Sequence, residues 1–417
     1  MPVTETDSGK RYENTLAVIL FFSWGTVFLD RMSQLYLAPY IVPEFHLTHE
    51  QVGLLASAVS ITWALSALFF GALSDRLGRR RILIPSMFAC AILSGLSGLA
   101  QSYHQLLLLR ALLGISQGPT WSVMTALIEE SSHPSRRGRN VGFVVSAAAL
   151  VGLAAAPVLT TQVAARWGWR MALLLTGVPG LLMGGLIWKF VREPQSKSGE
   201  SRSHHAIAFR DYFSILGYRN LWLSAIGAGS FVSWLFLQNA FAPLYITQVA
   251  HQPPTTAGFF LGATGLGSFF LGLLLPWLSD RFGRKPTLLC MAVISAIVPL
   301  AFLSLPLYSH PWGLAAILFL TNDGQAIFAL IMVLVPTESV PPRFAATAIG
   351  FVALSSEFIG ATFAPTFGGT MAEAYGLAAP LWMAAVGAVL VFLVALFLKQ
   401  PQRPTSLPME TQVSTAD

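Results

Sequence analysis

Apolar stretches about 20 residues long, each ended by charges or by Pro/Gly-marked breaks, recur along the whole chain and restrict its fold more than any other feature. A bilayer core takes about 20 apolar residues per helix. The runs fall at 16–42, 50–74, 82–101, 104–129, 139–163 and 169–191, then at 220–247, 255–279, 287–307, 311–337, 345–371 and 377–399. Several hold internal Pro and Gly, which membrane helices tolerate because neighbours re-satisfy the freed backbone groups. Composition agrees: of 417 residues, 54% are hydrophobic and 11% charged, against about 25% charged in a soluble domain. A soluble chain of this length would have too few charges to cover its surface.

The net charge of +6 would suit a nucleic-acid partner only if the basic residues formed a patch. They fall instead in short clusters between apolar runs, so no nucleic acid is expected. With the N-terminus in the cytoplasm, Lys10, Arg11, Arg76 to Arg81, Arg136, Arg137, Arg139, the 189–219 segment, Arg281, Arg284, Lys285, Arg343, Lys399 and Arg403 all lie inside. These are 21 of the 25 basic residues. The asymmetry predicts a multi-pass protein of a bacterial inner membrane with both termini cytoplasmic. The first 13 residues are polar and lack a small-residue cleavage pattern, so the run from Leu16 is read as a retained first helix. The expected organisation is an N-terminal tail (1–15), a six-helix bundle (16–191), a cytoplasmic linker (192–219), a second bundle (220–399) and a C-terminal tail (400–417). Cys90 and Cys290 sit singly in apolar runs of different halves and read as buried filler. His204 and His205 in the linker read as a solvated loop pair. No metal or cofactor is expected, and nothing demands more than a monomer.

The two halves repeat. GALSDRLGRRRIL from Gly71 recurs as PWLSDRFGRKPTL from Pro276, so that Asp75, Arg76, Gly78 and Arg79 match Asp280, Arg281, Gly283 and Arg284 at a spacing of 205. Further on, Glu130, Pro134, Gly142, Phe143, Gly152, Pro157 and Gly168 match Glu338, Pro342, Gly350, Phe351, Gly360, Pro365 and Gly376, all 208 apart. Seven matches in one register are a duplicated six-helix unit in parallel orientation. The fold class is therefore an all-α membrane protein of twelve transmembrane helices in two pseudo-symmetric six-helix bundles.

The loop D-R-x-G-R-[RK], present in both halves, resembles the signature of the major facilitator superfamily. That resemblance covers essentially the whole chain and implies two bundles rocking about a central site. Gly78 and Gly283 permit a tight turn between two helices. Asp75, Arg76, Arg79, Asp280, Arg281 and Arg284, with Glu130 and Glu338, are expected to form a cytoplasmic gate, Asp75 and Asp280 pairing with basic groups of the neighbouring bundle. The bland alternative, that the arginines only enforce topology, accounts for positive charge but not for the paired aspartates.

Charges found in one half only, inside a span, are candidates for substrate or ion. Asp30, Arg31, Arg110, Asp323 and Glu357 are of this kind; Glu357, Asp323 and Arg110 correspond to Ala149, Ile115 and Leu318. A charge at membrane depth costs a few kcal/mol on insertion scales and marks function by default. Arg110, Gly114, Gln117, Gly118 and Trp121 share one helical face, expected as a cavity wall. At about 1.5 Å of rise per residue, Arg31 and Arg110 lie roughly 16 Å and 10 Å below the outer surface, so both can address one carboxylate. For Arg110 a packing or coupling role weighs nearly as much, and for Arg31 the alternative is a standing pair with a nearby acid such as Asp30.

The Asp30–Arg31 pair and the glycine-rich stretch after Arg110 resemble the anion:cation symporters, and also the spinster-like lipid transporters. Carried over, the resemblance implies Asp30 as a protonation or gating site, Arg31 as the carboxylate-binding group and Arg110 as assisting coupling. Those families commonly have a Glu where this chain has Gln117, which cannot titrate. A coupled proton then falls to Asp30, Asp323 or Glu357, or coupling differs. Tyr36 and Trp63, and in the second half Gln238, Asn239 and Asn322, are further lining candidates. The expected function is secondary active import of a small organic anion, a sugar acid or an aromatic or other carboxylic acid, with protons. The runner-up is export of amphipathic drugs or lysolipids, or an uncoupled uniporter or exchanger. GLAAAPVL lacks the Gly-Pro pair of drug antiporters, and no nucleophile–base pair, phosphate loop or metal constellation points to an enzyme.

Overall fold

The computed structural model describes residues 7–193, 215–341 and 344–399. Residues 1–6 of the expected N-terminal tail, all of the expected C-terminal tail, the linker histidines His204 and His205, Pro342, Arg343 and Arg403 lie outside the described residues, as does the side chain of Asp75. The described chain is helical, without strands. The first bundle comprises α1 (Asp7–Tyr36), α2 (Ala38–Phe45), α3 (His49–Leu77), α4 (Arg79–Ser97), α5 (Tyr103–Ser131), α6 (Arg137–Ala147) and α7 (Ala156–Phe190), with a π-helical stretch Ala148–Ala155 between the last two. The second comprises α8 (Arg219–Gln248), α9 (Pro254–Phe282), α10 (Arg284–Ser295), α11 (Ile297–Leu303), α12 (Pro311–Thr321), α13 (Gly324–Ile327), α14 (Val335–Ser339), α15 (Ala345–Ser356), α16 (Ala364–Tyr375) and α17 (Ala378–Phe397). Here π-helical stretches run over Phe328–Leu334 and Glu357–Phe363.

Nine helical segments among the described residues are long and apolar enough to cross a bilayer by length and composition. One of them, Arg137–Phe190, has 54 residues and is two helices meeting at Gly168, where φ is 84°. The α3 and α5 helices, 29 residues each, stand outside that count and pack closely on each other. Most of each expected apolar run lies on helix. Large apolar side chains face outward, among them Trp312, Phe69, Phe282 and Trp188, as a lipid-facing surface requires.

The four glycines with positive φ are Gly78 (105°), Gly283 (96°), Gly168 (84°) and Gly376 (85°). They form two pairs of the sequence repeat. Gly78, Gly168 and Gly283 each separate two helices within a single residue, and Gly376 does so together with Leu377, turns for which glycine has no steric penalty.

The Lys10, Arg79, Arg136, Arg284 and Lys399 ends of the helices make up a basic end. Arg136 pairs with Glu13 at 2.7 Å, Arg79 with Glu130 at 3.4 Å and Arg284 with Glu338 at 2.9 Å. At the opposite, distal end the two bundles meet along tight seams. The Ser57 hydroxyl donates to the Thr362 carbonyl (2.6 Å) and accepts from Thr366 (2.8 Å). The His49 main-chain N–H donates to Glu373 Oε2 (3.0 Å). Glycines make the approach possible: a Cβ on Gly53 would run into the Pro365 main chain, one on Gly369 into His49, and one on Gly265 into Leu153 and Ala154. Small residues let membrane helices approach in this way.

Candidate functional site

A cavity of about 110 Å³ runs between the bundles from mid-membrane toward the basic end. Taking about 1.5 Å per residue, Glu357 lies roughly 18 Å along its helix from Ala345. Wall residues nearer the basic end include Val145, Met332, Ile349 and Ala353; Arg31 and Glu357 close the cavity at its inner limit.

Arg31 Nη2 donates to Glu357 Oε2 at 2.8 Å and to Ser60 Oγ at 2.9 Å. Its guanidinium lies 5.3 Å from the Trp63 ring centroid and 5.1 Å from that of Phe236. Ser60 and Trp63 come from α3, Phe236 from α8, and Glu357 from the π-helical turn after α15, so the group ties one bundle to the other. The side chains are 5% and 13% exposed, and breaking a pair this buried costs about 3–5 kcal/mol. The acid facing Arg31 is thus Glu357, 326 residues away, and not its neighbour Asp30.

Asp30 and Arg110 stand in a separate polar knot inside the first bundle. Asp30 Oδ1 accepts from the Ser94 hydroxyl (2.8 Å), which lies 2.8 Å from that of Thr176. Arg110, fully buried, donates through Nη1 to the Asp30 main-chain carbonyl at 3.0 Å. Neither residue lines the cavity. This departs from the expectation that Arg31 and Arg110 address one ligand. The shared face of α5 packs on α1 and α3: Gly114 meets Val59 and Thr62, Gly118 meets Ser66, and Gln117 Nε2 donates to the Val27 carbonyl at 3.2 Å. Only Trp121, at the end of that face, reaches the cavity; its ring centroid is 4.9 Å from that of Trp24 and 6.5 Å from that of Phe328.

Tyr36 lies on the distal closure, its hydroxyl 3.1 Å from Asn239 Oδ1 and 3.2 Å from the Gly152 carbonyl. Asn239 donates to the Leu235 carbonyl at 2.7 Å. Gln238 is buried with Oε1 unpartnered. Asn322 and Asp323 occupy a break between α12 and α13, where Asn322 Oδ1 accepts from the Gly324 N–H (3.3 Å). Asp323 is fully buried, and neither carboxylate oxygen has a partner among the described residues. None of the five candidates Tyr36, Gln238, Asn239, Asn322 and Asp323 lines the cavity.

At the basic end Arg284 also meets Asp280 at 2.5 Å and donates to Ser279 at 2.6 Å; Arg79 donates to Ser74 at 2.9 Å. Arg79 and Arg284 thus pair with Glu130, Glu338 and Asp280 of their own bundles, whereas Asp280 was expected to pair with a basic group of the neighbouring bundle. The cause is local: the tight glycine turn brings each arginine back over the helix end it has just left. Arg76 is exposed, and Arg281 lies over the Trp277 ring at 5.2 Å.

Sequence reasoning passed over Trp24, Phe28, Phe231, Phe236, Phe328, Ser60 and Ser268. A signal existed for two of them, since Trp24, Phe28 and Arg31 follow at steps of four and three residues, which is one face of α1.

The family model described as the Major Facilitator Superfamily matches residues 20–361 and 236–415. A protein of Cupriavidus pinatubonensis described as a probable 4-methylmuconolactone transporter is 30% identical over 354 residues, covering 82% of this chain and 80% of that one. A probable L-galactonate transporter of Escherichia coli is 25% identical over 396 residues, covering 87% and 84%. Among solved structures, a bacterial homologue of the human lysosomal transporter Spinster superposes with a TM-score of 0.77 at 19% identity, covering 94% of this chain and 99% of that one, so the two share a fold. The chain belongs to the major facilitator superfamily. It is a multi-pass membrane transport protein and not an enzyme.

Proposed function

We propose that this protein imports a small organic anion together with protons by alternating access, with its basic end in the cytoplasm. The observation that carries the reading is Arg31, a cation held at the inner limit of the central cavity by a carboxylate from the other bundle. The relative named for L-galactonate, a carboxylate, supports the substrate class. Closed distal seams and a cavity reaching toward the basic end correspond to the inward-facing state.

Charge balance supplies the coupling. A substrate carboxylate on Arg31 beside an ionised Glu357 would set two anions against one buried cation, and an uncompensated buried charge is expensive. A proton on Glu357 restores neutrality and releases Arg31 to the substrate. On entry into the cytoplasm the anion leaves, Glu357 gives up the proton and takes Arg31 back. Gln117 has no titratable group and holds the Val27 carbonyl, which is compatible with a coupling group on another helix. The matched charges at the basic end serve the gate that must close there in the outward-facing state.

The purified protein in liposomes provides the test, with an inward proton gradient and a panel of labelled carboxylates. Arg31→Ala is expected to lower uptake at least about a hundredfold, the loss of a charge-assisted contact in a buried site, while the protein still inserts and melts cooperatively. Undiminished uptake by this variant removes Arg31 from the site. Export of a neutral amphipath is the reading the apolar walls alone would favour, and it would leave Arg31 unaddressed, so the same variant separates the two.

A further inference from the structure

Resting on that reading of Arg31, we infer that the anion is flat, largely apolar and poor in hydroxyl groups: an aromatic or conjugated monocarboxylate rather than a polyhydroxylated sugar acid. The walls carry the first argument. Seven aromatic side chains, those of Trp24, Phe28, Trp63, Trp121, Phe231, Phe236 and Phe328, surround the space in front of Arg31. Ring faces and edges at such density reward a planar π-system by offset or edge-to-face stacking.

The second argument is the inventory of donors and acceptors. Three buried donors on cavity-lining residues, Arg31 Nε, Trp24 Nε1 and Trp63 Nε1, have no hydrogen-bond partner among the described residues. Buried polar groups in folded proteins are otherwise nearly all paired. The acceptors are few. On the cavity walls they are the Gln325 side-chain amide, Glu357, whose Oε2 is engaged by Arg31, and Ser268 Oγ, which already accepts from the Gln325 main-chain N–H at 2.9 Å. The site therefore offers donors to a ligand and little to receive its hydrogens. A carboxylate, or a ring carbonyl beside it, accepts and donates nothing, which matches. A sugar acid brings several hydroxyl hydrogens that would lose water without gaining a partner, and a polar group buried unpaired opposes binding. The third argument is size: about 110 Å³ favours one compact ring over a hydrated chain.

The test uses the full chain in nanodiscs, titrated with benzoate, cinnamate, D-gluconate and benzamide, with affinity from calorimetry and melting shift alongside. Benzoate or cinnamate is expected to bind at least about tenfold more tightly than gluconate, and benzamide, which lacks the charge, not to bind. Trp63→Phe keeps the ring and removes the indole N–H; it is expected to weaken the aromatic acids by about three- to tenfold while the melting temperature without ligand stays put. Gluconate binding as tightly as the aromatic acids, and doing so through Arg31, overturns this substrate class and leaves the organic-anion reading standing. Aromatic acids that bind equally well to Arg31→Ala, or benzamide binding like benzoate, overturn the reading beneath it as well.

Discussion

Arg31 is held by two aromatic rings, a hydroxyl and one carboxylate, and the carboxylate is the part another molecule can replace. Glu357→Gln keeps an acceptor within reach of the guanidinium but cannot release a proton. It is expected to retain exchange of substrate across the membrane while losing accumulation driven by a proton gradient, measured as counterflow against gradient-driven uptake. Persisting accumulation in that variant would move the proton to Asp30 or Asp323. A second residue-level device lies at the distal end, with Glu44 outside the spans. The Trp169 indole N–H donates to Glu44 (2.5 Å) and the Arg170 guanidinium pairs with the same carboxylate; the hydrogen bond from Trp169 and the Arg170 charge hold the Glu44 carboxyl below its ordinary value of 4.5. A lowered value stabilises the folded state above the ordinary one and loses that contribution as pH falls through the lowered one. Glu44→Gln is therefore expected to melt below the parent protein at pH 7, with the gap closing as the pH drops under 4.5. A gap unchanged at low pH would show that the carboxylate is not its source. Arg31 and Glu357 were legible in sequence because each lacks a charged counterpart in the other half. Their pairing was not, since 326 residues separate them and helical spacing carries no information across bundles.

Among elements, the glycine turns and the glycine seams do different work. Gly78, Gly168, Gly283 and Gly376 set the direction of the chain through their positive φ, and their repeated spacing made them readable in advance. Gly53, Gly265 and Gly369 have ordinary backbone angles and owe their place to the main chain packed against them, which sequence alone does not reveal. Gly53→Val puts two methyl groups where the Pro365 carbonyl lies. The variant is expected to insert normally and yet fail to close the distal seam, so a cysteine probe beside Tyr36 gains reactivity from that side and uptake falls at least about tenfold. Unaltered reactivity and uptake would mean the seam tolerates the extra volume. The π-helical turns were not anticipated at all, because one residue more per turn depends on neighbours and not on composition.

For the whole molecule, the apolar runs and the duplication made the fold legible, since lipid admits few other solutions. The conformation was not, because arrangements open to one sequence can differ by only a few kcal/mol. The knot of Asp30, Ser94, Thr176 and Arg110 shows the same limit: an unmatched charge flags a special position without saying whether it faces the ligand or braces the scaffold. One paired feature reaches beyond this chain. The π-helical stretches Ala148–Ala155 and Glu357–Phe363 occupy equivalent places in the two halves, and such a turn amounts to one surplus residue in an otherwise regular helix. A relative shorter by one residue in the second stretch would carry its distal half-helix about 100° out of register with the half that bears the glutamate. A single-residue gap there in an alignment would then mark a protein whose acid and seam no longer face the same way.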